Sequence, residues 1–289
     1  MARPIDRPTD SPSIVHRERQ ASTEPCGGDP ATAQATAQPD APAEADAAQA
    51  TAQPDAVFPV ASEEMPRHVA IIMDGNRRWA RARGLHDMEG HAAGVEGIRE
   101  IIRHAVRRGI AVVSLYGFSR ENWARSDEEV GGLFSLLEKV IRNETDELVA
   151  QGAHVRLLGR IEELPGETRE SIQRALDATT GGQRLQLNIA FNYSGRTELV
   201  DAARKLVAQG LRPEEIDEDA LAAAMYTAGL PDPDMVIRTG GDERLSNFLI
   251  WQSAYAEIYF CPTLWPDFGP AELDAALIEF ASRQRRFGR

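Results

Sequence analysis

Cysteine is nearly missing from this chain of 289 residues: Cys26 and Cys261 are its two thiols. Two isolated cysteines build neither a disulfide framework nor a cysteine metal site. No run of about 18 apolar residues occurs, so nothing reads as a membrane span. The N-terminus has no apolar h-region of a secretory signal, and it is too acidic for a transit peptide. The cytosol is the expected compartment. Surplus positive charge is missing too. The formal net charge is −13, and a nucleic-acid footprint would need a basic face, so no nucleic-acid partner is expected.

The acidity is unevenly spread. Residues 1–64 hold 4 Arg against 11 Asp and Glu, which accounts for −7 of the total. This stretch is rich in Ala, Pro, Gln and Thr, and ATAQPDA occurs in it at 35–41 and again at 50–56. With little apolar periodicity to bury, it reads as a disordered acidic tail. Residues 65–289 are only mildly acidic and long enough for one domain with a sizeable core.

Within that domain, strand and helix patterns alternate. Apolar runs at 69–74, 110–118, 154–159, 185–193, 235–240 and 255–260 read as six strands. Helical periodicity covers 90–109, roughly 127–151, 166–178, 194–210 and about 270–284. Val95, Ile98, Ile101, Ile102 and Ala105 form one stripe that Gly109 ends, and Ser126 with Glu129 fits a capping box. Apolar strands alternating with helices predict an α/β fold, a six-stranded, mostly parallel sheet covered by helices.

Four of these strands end in unusual polar groups. They are Asp74-Gly75-Asn76-Arg77-Arg78-Trp79, Ser119-Arg120-Glu121-Asn122-Trp123-Ala124-Arg125, Asn192-Tyr193-Ser194-Gly195-Arg196 and Arg238-Thr239-Gly240-Gly241-Asp242-Glu243-Arg244-Leu245-Ser246-Asn247. The carboxyl ends of parallel strands share one edge of a sheet, where open α/β folds bind ligands. The first turn opens a helix, whose free N–H groups favour phosphate. Such an arginine-rich cleft with one or two carboxylates suits two diphosphates and Mg²⁺. Each piece alone is weak. A strand-Asp turn also serves phosphatases with a nucleophilic aspartate, although Asn76 occupies the place of their second aspartate.

HVAIIMDGNRRWA, SLYGFSRENWARS, NIAFNYSGR and VIRTGGDERLSNFLIWQSAYAEIYF, in this order, resemble the cis-prenyltransferases, the undecaprenyl diphosphate synthase family. The resemblance runs over about 66–289, through WPDF and the terminal RRFG. The aspartate-rich DDxxD pair of the unrelated, all-helical trans-prenyltransferases is absent.

The resemblance implies an apolar tunnel between sheet and helices and a head-to-tail condensation. Isopentenyl diphosphate adds to an allylic diphosphate, typically farnesyl diphosphate, with a new cis double bond each cycle. Gly75, Asn76, Arg77, Arg78 and His91 would surround the allylic diphosphate, with Trp79 against its chain. Asp74 would hold Mg²⁺, and Glu257 would be the second Mg²⁺ ligand. Arg238, Arg244, Leu245 and Ser246 would bind isopentenyl diphosphate. Ser119, Arg120 and Glu121 would lie near the reacting ends, flanked by Trp123 and Arg125. Asn122 matches the residue often assigned to proton removal; an amide is a poor base, so it reads as an orienting or relaying group. Arg286 and Gly288 would reach the partner's site in a homodimer. Strand two from Ile110 to Leu115 and the helix bearing Phe134, Leu136, Leu137, Val140 and Ile141 would wall the tunnel. Gly117 leaves that tunnel open, which implies a product near C50–C55, an undecaprenyl diphosphate for a cell-wall lipid carrier. A hydrophobic product implies transient contact with the inner face of the membrane.

Two positions depart from the family pattern. Asp87 stands where many bacterial members carry a basic residue, so either it points away from the diphosphate or a contact is missing. Asp242-Glu243 replaces the usual Glu-Gln or Glu-His, with little consequence expected. The alternatives are a short-chain Z-prenyl diphosphate synthase and a non-catalytic subunit of a heteromeric enzyme. The second fits poorly with the retention of Asp74, Asn76, Arg78, Asn122, Arg238, Arg244 and Glu257.

Overall fold

A computed structural model describes residues 58–283. The expected disorder of the tail up to residue 57, and the roles expected of Arg286 and Gly288, lie outside the described residues. The packed chain already includes Phe58, inside the stretch assigned to the tail: its ring meets the core and carries the Arg108 guanidinium at 3.8 Å.

Six strands form one sheet in the order β3-β4-β2-β1-β5-β6. They are β1 (His68–Ile72), β2 (Val112–Ser119), β3 (Ala153–Leu158), β4 (Leu185–Tyr193), β5 (Met235–Arg238) and β6 (Glu257–Phe260). Every neighbouring pair is parallel, so the expected mostly parallel sheet is wholly so. All five residues of β1 are buried, because both faces of the sheet are covered. Side chains alternate across a strand. Val69 and Ile71 join the core with Ile101, Ile102, Trp265 and Leu277. Ala70 and Ile72 instead meet Tyr193, Phe248 and Leu249.

The helices are α1 (Asn76–Ala82), α2 (Asp87–Arg107), α3 (Asp127–Ala150), α4 (Gly166–Thr179), α5 (Gly195–Ala208), α6 (Glu218–Ala224) and α7 (Pro270–Ser282). α2 begins three residues earlier than its apolar stripe predicts. His86 caps it: its ring accepts from the Met88 N–H at 3.3 Å, and the Glu89 carboxylate accepts from the His86 N–H at 2.9 Å. Histidine is not among the usual capping residues, so the sequence carries little warning. At α3, Ser126 Oγ accepts from the Glu129 N–H at 3.3 Å as the capping pattern predicts. The Glu129 carboxylate, however, turns to Arg125, at 2.7 Å. Among the described residues no helix is long and apolar enough to cross a membrane.

Candidate active site

β1 and β5 lie side by side in the sheet, and the chain leaves them in opposite directions along it. That is the switch point at which doubly wound sheets open a crevice. Gly75 makes the turn after β1 with φ of +112°, and a Cβ there would stand 2.8 Å from Leu264. The turn is tied to β5 by Thr239, whose hydroxyl accepts from the Asp74 N–H at 2.9 Å and donates to the Asp74 carbonyl at 2.7 Å.

Asp74 is thereby aimed at arginines. Its Oδ2 accepts from Arg238 Nη2 at 2.7 Å, and its Oδ1 lies 3.1 Å from Arg78 Nη2. Burial pushes this carboxyl up, but the Arg238 hydrogen bond and the charges of Arg238 and Arg78 outweigh it, so Asp74 sits below the usual carboxylate range. Arg238 is 4% exposed and also donates to Ser246 Oγ at 2.6 Å. Asp242 Oδ2 lies 3.2 Å from Arg238 and 2.7 Å from Arg244. The residue expected to matter little is thus the carboxylate that bridges both arginines.

A second cluster closes the other wall. Glu129, from the first turn of α3, draws in Arg125 at 2.7 Å, Arg77 at 3.6 Å and His91 Nε2 at 3.6 Å. Burial and the Arg125 charge hold His91 below its ordinary value, against the pull of Glu129. Its Nε2 is buried without a hydrogen-bond partner, as are Asn76 Oδ1 and Arg238 Nε. Buried polar atoms normally have partners, so three such atoms around one cleft mark places for a ligand. Gly94 makes room for Asn76: a Cβ there would stand 2.3 Å from Asn76 Oδ1.

Two cavities meet here. A polar cleft of about 750 Å³ lies over the strand ends. It is lined by six arginines and three carboxylates, which leaves it cationic. Beneath it, an apolar cavity of about 210 Å³ runs between the sheet and helices α2, α3 and α4. Met73, Asn76, His91, Gly117 and Leu133 line both. At Gly117 a Cβ would meet its neighbours at an ordinary 3.5 Å.

The undecaprenyl diphosphate synthase family model, Prenyltransf, matches residues 72–288. The chain belongs to this family. It is 47% identical to an isoprenyl transferase of Heliobacterium mobile over 228 residues, 78% of this chain and 88% of that protein. It is 50% identical to one of Brucella abortus over 227 residues, 77% of this chain and 89% of the relative. Among solved structures it is similar to lavandulyl diphosphate synthase from Lavandula x intermedia in complex with dimethylallyl diphosphate. That match has a TM-score of 0.76 and 38% identity, covering 78% of this chain and all of the other. A probable undecaprenyl diphosphate synthase from Campylobacter jejuni gives 0.66 and 31%, covering 78% and 99%.

Most of the residues predicted for this prenyltransferase site line the polar cleft: Asp74, Gly75, Asn76, Arg77, Arg78, His91, Ser119, Glu121, Asn122, Arg125, Arg238, Arg244 and Ser246. Others do not. Trp79 lines neither cavity; its Nε1 donates to Asp267 at 2.6 Å and Arg83 covers its ring at 4.2 Å. Arg120 is held by Glu163 instead of the cleft. Trp123 packs on Phe118 and Phe134 and donates to Asn192 Oδ1 at 2.8 Å. Leu245 packs into the core with Phe248 and Leu249. Glu257 begins β6, at the end of the strand away from the cleft, and pairs with Arg283 at 3.0 Å. In this chain it stands apart from Asp74, since Arg238 pairs with Phe260 at the other end of the strand. Asp87 does not line the cleft; its carboxylate receives two bonds from Arg81, at 2.8 and 2.7 Å. Of the expected tunnel walls, Leu115, Leu136, Leu137, Val140 and Ile141 line the apolar cavity, whereas Phe134 joins an aromatic cluster with Phe118 and Phe191.

Tyr116 and Arg81 line the cleft without having been singled out for it, Asp242 and Asn247 were given only as part of a polar strand end, and Glu129 only as a cap. Ser246, Asn247 and Leu249 have φ of 47°, 65° and 43°, a local strain typical of functional loops. Asn and Asp tolerate such backbone but Leu does not, so only Asn247 carried a signal.

Among the described residues no group of three His, Cys, Asp or Glu could hold a metal ion. Mg²⁺ commonly takes one or two carboxylates and completes its shell with substrate phosphates and water. Asp74 fits that donor role, for a cation arriving together with a diphosphate.

Proposed function

We propose that this prenyltransferase condenses isopentenyl diphosphate head-to-tail onto an allylic diphosphate, farnesyl diphosphate for preference, forming cis double bonds. One observation carries the reading: a cationic cleft and an apolar cavity share a rim at Asn76, His91 and Gly117. A ligand with an anionic head and a hydrocarbon tail matches that pairing. The Lavandula neighbour, solved with dimethylallyl diphosphate, supports an allylic head in the cleft.

In this reading Asn76, Arg77, Arg78 and His91 surround the allylic diphosphate, and Arg238, Arg244 and Ser246 hold isopentenyl diphosphate. When bound at Asp74, Mg²⁺ supplies charge neutralisation at the leaving diphosphate. The allylic C–O bond breaks, its electrons going to the diphosphate, and the arginines stabilise the developing negative charge. The alkene of isopentenyl diphosphate attacks the allylic carbon, and loss of a proton completes the new double bond. Asn122 Oδ1 accepts from the Ser119 N–H at 3.0 Å, so its amide NH₂ is the group left to orient substrate. An orienting role therefore suits it better than that of a base.

The growing tail would pass Gly117 into the apolar cavity, with a long product near C50–C55 and release at a membrane surface. Homodimerisation would add the C-terminal Arg286 and Gly288 of one protomer to the other's site. The test is incorporation of labelled isopentenyl diphosphate with Mg²⁺, with products separated by chain length from geranyl, farnesyl and geranylgeranyl starters. Mg²⁺-dependent long products are expected. A C15 product alone from geranyl diphosphate would overturn the long-chain reading, and no incorporation would overturn the reaction.

A further inference from the structure

One arginine of the polar cleft takes no part in the contacts assigned above. Arg81 lines the cleft from the last turn of α1. Residues three and four apart share a helix face, so Arg77, Arg78 and Arg81 form one row that leads away from the Asp74 turn. The Arg81 side chain is 65% exposed, yet its guanidinium is held. Its Nε donates to Asp87 Oδ1 at 2.8 Å and its Nη2 to Oδ2 at 2.7 Å, the two-bond fork in which arginine holds a carboxylate best. The fork uses two of the five N–H donors of an arginine. The other three have no protein acceptor among the described residues.

The chain turns back between α1 and α2 to set this fork. Gly84 takes φ of +68°, and the His86 cap starts α2 at Asp87. Gly90 lets α2 lie close against α1: a Cβ there would stand 2.1 Å from the Asn76 carbonyl oxygen. Asp87 thus returns beside Arg81, at a helix start where a carboxylate is also favoured. The Arg81 hydrogen bond holds Asp87 below the usual carboxylate range, so it is ionised at neutral pH. An exposed pair contributes little to stability, so joining the two helices is a weak reason for it. The carboxylate that looks unfavourable beside a diphosphate stands outside the cleft, and the charge that lines the cleft is positive.

Resting on the allylic-diphosphate reading above, we infer that Arg81 binds the terminal phosphate of the allylic diphosphate and that Asp87 is its positioning residue. In that reading the hydrocarbon tail leaves the cleft over the rim at Asn76, His91 and Gly117. The phosphate that carries the ester oxygen then lies nearer the rim, and the terminal phosphate further from it. Arg81 stands one helical turn, about 5.4 Å, beyond Arg77 and Arg78, which suits the second phosphate of one diphosphate. Asp87 does not touch substrate. It restrains a long side chain that would otherwise lose its freedom on binding, and preorganisation of that kind raises affinity. The sign of its effect is opposite to simple repulsion: removing this carboxylate weakens the binding of an anion.

The experiment measures KM for farnesyl and for isopentenyl diphosphate, with Mg²⁺, in wild type, R81A, D87A, R81A/D87A and R83A. Arg83 caps the same helix but lines neither cavity, so R83A reports on the packing of α1 alone. R81A should raise KM for farnesyl diphosphate about tenfold, the scale of one charge-assisted bond, and leave KM for isopentenyl diphosphate within about twofold. D87A should raise the first KM about threefold and add nothing in the R81A background. R83A should change neither. In binding titrations R81A should weaken an unreactive thio analogue of farnesyl diphosphate and spare farnesyl monophosphate. An unchanged KM in R81A, a lower KM in D87A, an equal loss for the monophosphate, or an R83A shift matching that of R81A would each overturn the inference alone. Failure of wild type to incorporate label would overturn the underlying reading and this one with it.

Discussion

The two cavities of this protein meet at Asn76, His91 and Gly117, yet they are built by opposite means. In the polar cleft, carboxylates position the arginines. Asp74 and Asp242 take up Arg238, Arg78 and Arg244, and Glu129 takes up Arg125 and Arg77. Those carboxylates hold the arginines in place in the absence of an anion. The apolar cavity is made of the same leucines, isoleucines and valines that fill the core beside it. Polar sites are prepared by pairing, apolar ones by leaving space. A substitution in the first should therefore change rate and affinity, and one in the second should change product length.

The largest effect is expected at Asp74. D74A should lower label incorporation by about 10²–10³-fold, the scale of losing one electrostatic contact to the developing charge; undiminished incorporation would remove Asp74 from the chemistry. G117F should come next and should divide the two regions cleanly. A Cβ fits at Gly117, but an aromatic ring would fill the shared rim. Products should shorten to the first one or two additions, as read by chromatography, while G117A stays near wild type.

R244A should raise KM for isopentenyl diphosphate about tenfold, the scale of one charge-assisted bond to a partly solvated phosphate, with a smaller change in kcat. Burial lowers the pKa of His68, against the Pro231 carbonyl and Asp234, and also that of His91. Both folded values lie below the unfolded one, so the unfolded chain binds more protons below it. Stability is therefore fully present above about pH 6.5 and is lost as pH falls toward the folded values. The urea midpoint should drop between pH 7.5 and 5.5, and a flat profile would contradict the burial. The smallest effects belong to residues turned elsewhere. R120A and W79F should leave KM for both substrates within about twofold, since a partly exposed pair such as Arg120–Glu163 contributes little. A larger change would return either side chain to the cleft.

The polar half was legible because strand ends are where buried apolar runs stop, and Asp74, Arg238 and Asn122 are conspicuous there. The strand order that sets β5 beside β1 was not legible in the sequence, because parallel pairing alone does not fix which strands are neighbours. The apolar half was legible only in part. Leu137 and Ile141 line the cavity while Phe134, on the same helix face, fills an aromatic cluster, and helical periodicity is the same for both. Trp79 and Arg120 misled for a related reason: they sit within informative segments, but Asp267 and Glu163, distant in sequence, claim their side chains. Glu129 was hidden behind its capping role, because a helix-starting glutamate looks the same whether it turns back to the cap or forward to Arg125.

The most direct measurement of the central claim is a structure of the protein soaked with Mg²⁺ and an unreactive thio analogue of farnesyl diphosphate. The diphosphate should lie against Asn76, Arg77, Arg78 and His91, with the farnesyl chain passing Gly117 toward Leu137 and Ile141. A diphosphate outside the cleft, or a chain that leaves the apolar cavity empty, would contradict the union of the two regions into one active site.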